Sequence, residues 1–208
     1  MKNLNEYITE KLKVSKKQNK YNYYPQTKDE LYDLIRKRIK EEGNNVNLND
    51  IDISEIDSIS WLFENLKDFN GDISEWNVSN VKDMSYTFRM CENFNCNLSN
   101  WDVSNVTNLS GMFAFCESFE GIGLNKWDIS NAKDTNNMFY DCKKFNTDIS
   151  DWDVSNIINM NSMFKNCSIF NQNLEKWKNK INPNCKKWFI FNNCPKLSEQ
   201  NKPSWYIQ

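Results

Sequence analysis

The chain has 208 residues, a formal net charge of −2, 39% hydrophobic and 14% aromatic residues, and no histidine. The missing histidine excludes Ser-His and Cys-His catalysis, His-ligated zinc or haem and a histidine pH switch. The near-neutral charge gives no global field for nucleic acid or an anionic membrane, and no run approaches the ~18 apolar residues of a membrane span.

Residues 1–24 come first. Leu4, Ile8 and Leu12 recur at i, i+4 and i+8, a weak amphipathic helix over residues 1–13, and a basic, Asn- and Tyr-rich link runs to residue 24. Glu6 and Glu10 stand where an export signal needs an apolar stretch, so a cytoplasmic location is expected, with a virion or the cell surface as the other settings. Residues 25–50 read as a helical N-terminal cap. Thr27 and Glu30 form a capping-box pattern, Leu31, Leu34, Ile35 and Ile39 form one stripe, and Gly43 stops the helix.

Residues 51–176 are repeats. Trp76, Trp101, Trp127, Trp152 and Trp177 are spaced 25, 26, 25 and 25 residues apart, and Ile51 holds the same column in a diverged first copy. In each copy a W-D-V-S-N segment alternates apolar and polar residues, the period of a short strand. Trp101 and Val103 are expected inward, Asp102 and Ser104 outward. The triplets Met84, Phe88, Cys91 and Leu109, Phe113, Cys116 then recur at i, i+4 and i+7, the spacing of one helical face. A phenylalanine column (Phe69, Phe94, Phe119, Phe145, Phe170) closes each copy. One strand plus one helix in about 25 residues predicts an α/β leucine-rich-repeat solenoid of about six turns, its parallel strands stacked ~4.8 Å apart. Residues 177–208 read as a degraded repeat and C-terminal cap, with Trp188, Leu197, Pro203 and Trp205 as a closing lid.

The segments WDVSNVTNLSGMFAFC and WDVSNIINMNSMFKNC resemble the BspA-type leucine-rich repeat of bacterial surface proteins, over residues 51 to about 176. The helix-then-NNVNLNDIDIS entry also resembles stand-alone versions in gut bacteria and their phages. The resemblance implies a binding scaffold used in adhesion or host contact, and no catalytic residue. Thr87 and Thr135 depart from the usual Met, and one residue is inserted near Gly121-Ile122-Gly123.

Candidate binding residues follow from columns on the expected strand face. Asp102, Asp128 and Asp153 line up one step after the Trp column, Ser104 and Ser130 two further along, and Glu75 and Asp151 one step before. Lys176, Lys178 and Lys180 make the last copy basic. Stacked like charges cost stability, so the Asp column implies either a basic ligand or compensating local hydrogen bonds. No loop gathers six oxygens for calcium, no C-x-x-C exists, and the seven cysteines read as small buried hydrophobes with Cys96 the most exposed. Asn80, Asn105, Asn131 and Asn156 are expected to bond across successive turns. No cofactor or metal is expected. The functional expectation is a non-enzymatic protein-binding solenoid acting through a concave strand face. The alternative is a virion-associated or surface adhesion component docked through residues 1–24. In both cases the partner is another protein.

Overall fold

The computed structural model describes residues 20–206; the helix expected over residues 1–13 lies outside them. The first element is helix α1, Lys28–Glu42. Thr27 Oγ1 accepts from the Glu30 N–H, which satisfies one of the helix's loose N-terminal donors, and a Glu30 oxygen reaches back past the cap to accept from the Gln26 N–H at 2.7 Å. Gly43, at φ 90°, ends the helix by returning its N–H to Ile39 O. Leu31 and Ile35 face the first coil. The buried Arg38 is held by Glu42, Asp50 and the Asn47 carbonyl, and these acceptors raise its already high pKa further.

The repeats do not form the α/β leucine-rich-repeat solenoid expected from the pattern. Among the described residues there is no strand longer than an isolated bridge. The only other helical elements among the described residues are single 3₁₀ turns at Leu124–Lys126 and Glu175–Trp177. Each copy is instead a coil of consecutive four-residue turns. In the second full copy, Trp76 N–H returns to Ile73 O, Val81 to Val78, Thr87 to Met84, Arg89 to Tyr86, Cys91 to Phe88 and Phe94 to Cys91.

The reason lies in two backbone positions per copy. Trp61 and Asn65, Tyr86 and Met90, Gly111 and Phe115, Asn137 and Asp141, Ser162 and Asn166, and Phe189 and Asn193 all have positive φ between 54° and 64°. A left-handed residue every fourth position ends any helix before it completes a turn. The donors thus freed point at the next copy. Ile59, Trp61, Phe63 and Asn65 donate to the carbonyls of Asp83, Ser85, Thr87 and Arg89 at 2.9–3.0 Å, and the same four bonds recur at each of the five junctions up to Asn166–Asn192. Isolated parallel bridges link Ser58, Asp83, Asn108, Asp134, Asn159 and Lys186 in the same order, so neighbouring copies stack in register. The segment read as a helix is therefore the ladder that ties coil to coil. The Trp segment read as a strand forms no bridge in the Trp-bearing copies, and only Ile51 of the first copy bridges, to Tyr23; the alternation nonetheless holds, with Trp101 and Val103 buried and Asp102 exposed.

The apolar spacing was thus a burial signal. Met84, Phe88, Cys91 and Phe94 are fully buried, as are Phe113, Cys116 and Phe119 one copy on. The rings form a continuous column. Phe88 and Phe94 stack at 4.1 Å, Phe113 and Phe119 at 4.1 Å, and Phe139 and Phe145 at 3.9 Å within coils. Phe63, Phe88, Phe113, Phe139, Phe164 and Phe191 follow one another at 5.2–5.8 Å between coils. Such pairs are worth ~0.5–1.5 kcal/mol each beyond area burial. Each Trp Nε1 donates to an apolar-column carbonyl of the preceding copy: Trp76 to Leu48, Trp101 to Ile73, Trp127 to Leu98, Trp152 to Leu124 and Trp177 to Ile149. Trp205, read as part of a lid, repeats this bond to Leu174 O and stacks on Trp177 at 6.2 Å, so the coil extends to residue 205.

The departures from the repeat pattern are accommodated. Thr87 Oγ1 bonds to Met84 O at 2.7 Å, and Thr135 is fully buried. At the insertion, Gly121 and Gly123 take φ 83° and 92°. A Cβ on Gly123 would lie 2.4 Å from the Ser99 backbone nitrogen, so the extra residue is absorbed where a side chain has no room.

Candidate functional site

The residues singled out from the sequence spend their polar atoms on the chain itself. Asp102, Asp128 and Asp153 are exposed, and each Oδ1 accepts the N–H two residues on, from Ser104, Ser130 and Ser155, at 3.0–3.1 Å. This is the Asx turn, in which a short side chain stands in for a backbone acceptor. Ser104 Oγ adds a second bond to Asp102 at 2.7 Å. The serine hydroxyl and N–H hold the Asp102 carboxyl below its usual range, and the Ser155 N–H does the same for Asp153. Glu75 is exposed and accepts from the Asn100 amide. Asp151 pairs with Lys176 at 2.7 Å, which lowers the carboxyl and raises the amine. Lys180 reaches the Asp151 and Trp152 carbonyls at 3.4 Å, and Lys178 pairs with Glu175 at 3.5 Å. Asp151, Lys176 and Lys180 are thus one cluster. The Asp column and the lysines are not brought together over a sheet.

Two other columns bind coil to coil. Asn80, Asn105, Asn131 and Asn156 each donate an amide to the carbonyl of Ser54, Ser79, Ser104 and Ser130. The thiols of Cys91, Cys116, Cys142, Cys167 and Cys194 each lie 2.9–3.1 Å from the carbonyl of a phenylalanine one copy back. Desolvation pushes Cys91 up to about 12 and raises Cys116, Cys142 and Cys167 well above the ordinary thiol value. All seven cysteines are free.

What the column reading missed is a row of exposed and half-buried rings along the turns. Trp61, 43% exposed, stacks on Tyr86 at 4.1 Å. Tyr86 lies down over Gly111, where a Cβ would meet its ring at 2.4 Å. Phe115 packs against Tyr140 at 5.0 Å. Trp61, Tyr86, Arg89, Phe115 and Tyr140 together line an open hollow of about 420 Å³. Cations interleave with the rings: Arg36 over Tyr32 at 4.7 Å, Arg89 over Phe115 at 5.9 Å, and Lys165 near both Tyr140 and Phe189 at 5.6 and 5.8 Å. The row thus runs from α1 to Tyr140, and Trp188 and Phe189, 66% and 60% exposed, lie beyond Lys165 on the last coil. Its sequence signal was available: aromatic residues replace the variable positions around the buried Phe in WLF, YTF, FAF, FY and WFIF. Period-based reading discards such positions because they do not repeat.

A stack of turn-built coils held by side-chain columns, with one aromatic and cationic flank, defines a structural repeat protein. The chain belongs to the family described as "Mycoplasma protein of unknown function, DUF285", whose model matches residues 33–122 and again residues 116–208. No curated protein and no solved structure matches the chain. No helix among the described residues is long and apolar enough to cross a membrane.

Proposed function

We propose that the protein is a non-catalytic binding scaffold that docks another protein on the flank running from Tyr32 and Trp61 through Tyr86, Phe115 and Tyr140. The observation that carries the reading is the row of exposed rings (Tyr32, Trp61) and half-buried rings (Tyr86, Phe115, Tyr140) with interleaved Arg36, Arg89 and Lys165. Aromatic and Arg side chains are the residues that concentrate binding energy at protein interfaces, and contiguous exposed apolar surface is costly unless it meets a partner. The repeated side chains support a scaffold role, because the Asn, Trp and Cys columns are consumed in holding coils in register and the Asp column in closing local turns. The kinship of these repeats in pattern to BspA-type surface repeats supports a contact role for the same flank.

The test compares proteins retained from a cell extract by the immobilised full chain and by two double variants. Trp61→Ser with Phe115→Ser removes two rings of the flank, and Asp102→Lys with Asp128→Lys reverses the Asp column. Loss of the retained proteins with the ring variant alone supports the flank. Loss with the Asp variant alone moves the interface to the Asp column and refutes the reading.

A further inference from the structure

The ladder that ties the coils has a direction. In the segments equivalent to residues 59–65, all four inter-coil bonds donate toward the C-terminal end of the stack. In this segment each coil offers carbonyls backward and N–H groups forward. At the N-terminal end the outward acceptors lie under α1, where Arg36 donates to Glu64 O and Lys28 to Ser60 Oγ. At the other end the register carries the forward donors to Lys187, Phe189, Phe191 and Asn193. Among the described residues these four N–H groups have no acceptor. They are an open ladder edge made of donors only.

The surroundings of this edge share its sign. Residues 181–198 contain three lysines and no Asp or Glu. Lys186 is exposed and Lys187 half-buried, both at the start of the edge. Beside it, Trp188, Phe189, Phe191, Trp205 and Tyr206 line an open cleft of about 920 Å³. Successive N–H groups pointing one way form a concavity that attracts anions and carbonyl oxygens, and open ladder edges accept an added extended segment.

We infer that this terminal edge is a second docking surface, separate from the flank, and that it captures an extended acidic segment of another protein. The segment's carbonyls take the four N–H groups, an apolar side chain enters the cleft and its carboxylates meet Lys186 and Lys187. A second copy of this chain does not fit. Its opposite end is closed by α1, and two copies meeting through this edge would set donors against donors.

The probe is a blocked synthetic peptide of alternating Glu and Phe, added to the full-length chain while amide hydrogen exchange is followed residue by residue. The expected result is rapid exchange of Lys187, Phe189, Phe191 and Asn193 in the free chain and at least tenfold slowing with the peptide. Lys186→Glu with Lys187→Glu is expected to weaken peptide binding at least tenfold, while Phe115→Ser leaves it unchanged. Absence of slowing at millimolar peptide overturns the inference. So does equal slowing by a Lys-and-Phe peptide, since the edge would then not select acid. Protection already present in the free dilute chain assigns the edge to the chain's own terminal residues, and protection that grows with protein concentration assigns it to a second copy; either overturns it. Loss of peptide binding in Phe115→Ser would place the peptide on the flank instead.

Discussion

Trp127 is the sharpest place to test whether the side-chain columns hold the coils together. Its ring is 4% exposed, lies parallel to Trp101 at 6.4 Å and touches Phe113 at 6.3 Å, and its Nε1 donates to Leu98 O at 3.0 Å. Trp127→Ala removes the whole ring from a site closed on both sides by neighbouring coils, which cannot collapse without breaking their own ladder. The expected loss is about 3–5 kcal/mol, the range for large-to-small changes of buried aromatic rings. Trp127→Phe keeps a ring but removes the donor. It leaves the Leu98 carbonyl with the Trp101 N–H alone, at about 0.5–1.5 kcal/mol for the lost hydrogen bond, plus a smaller cavity. The order of stability is therefore wild type, then Phe, then Ala. Because each coil contacts only its neighbours, the loss falls on two junctions and broadens the unfolding transition. A urea titration followed by circular dichroism and tryptophan fluorescence measures both effects. A Trp127→Ala loss below ~1 kcal/mol, or a Trp127→Phe variant as stable as wild type, refutes the reasoning.

The buried thiols make stability fall in alkali. Their folded pKa values lie above the unfolded value, so their contribution is intact below about pH 8.5, near the ordinary thiol pKa, and is lost as pH rises through the folded values, about 12 for Cys91. In the same range a thiol reagent should modify Cys96 and Cys194 first and reach Cys116, Cys142 and Cys167 only on unfolding; fast labelling of all seven would contradict the buried column. The Asx turns act at the opposite end of the scale. The folded carboxyls of Asp102 and Asp153 are lowered, so their contribution is present above about pH 4, the ordinary carboxylate value, and is lost as pH falls through the folded values. Asp102→Asn, which keeps an acceptor for Ser104, should flatten that acid dependence in thermal melts; an unchanged acid limb in this variant would remove Asp102 from the account.

The residue pattern by itself determined the number of copies, their register and what is buried. Phe88, Cys91, Phe94 and Trp101 repeat at a fixed interval because each must meet its counterpart in the next coil, and that requirement is written directly in the spacing. The hydrogen-bonding Asn column was legible for the same reason, as was the helix at α1, whose cap and stripe are local. The backbone path was not legible. A spacing of three to four apolar residues is shared by a helix and by a chain of four-residue turns. What separates them is whether the N–H of Tyr86 or Phe88 closes on its own segment or on the carbonyl of Ser110 or Met112 in the next coil. That choice exists only once the coils are stacked, and it places ordinary residues such as Trp61, Tyr86 and Ser162 at positive φ, where local propensity argues against them. The ring row and the donor-only edge belong to the same class. Trp61 and Tyr86 meet only because their coils are neighbours. The direction of the open N–H groups is set by the ladder beneath them, because a hydrogen bond's polarity is a property of the assembled backbone and not of any one residue.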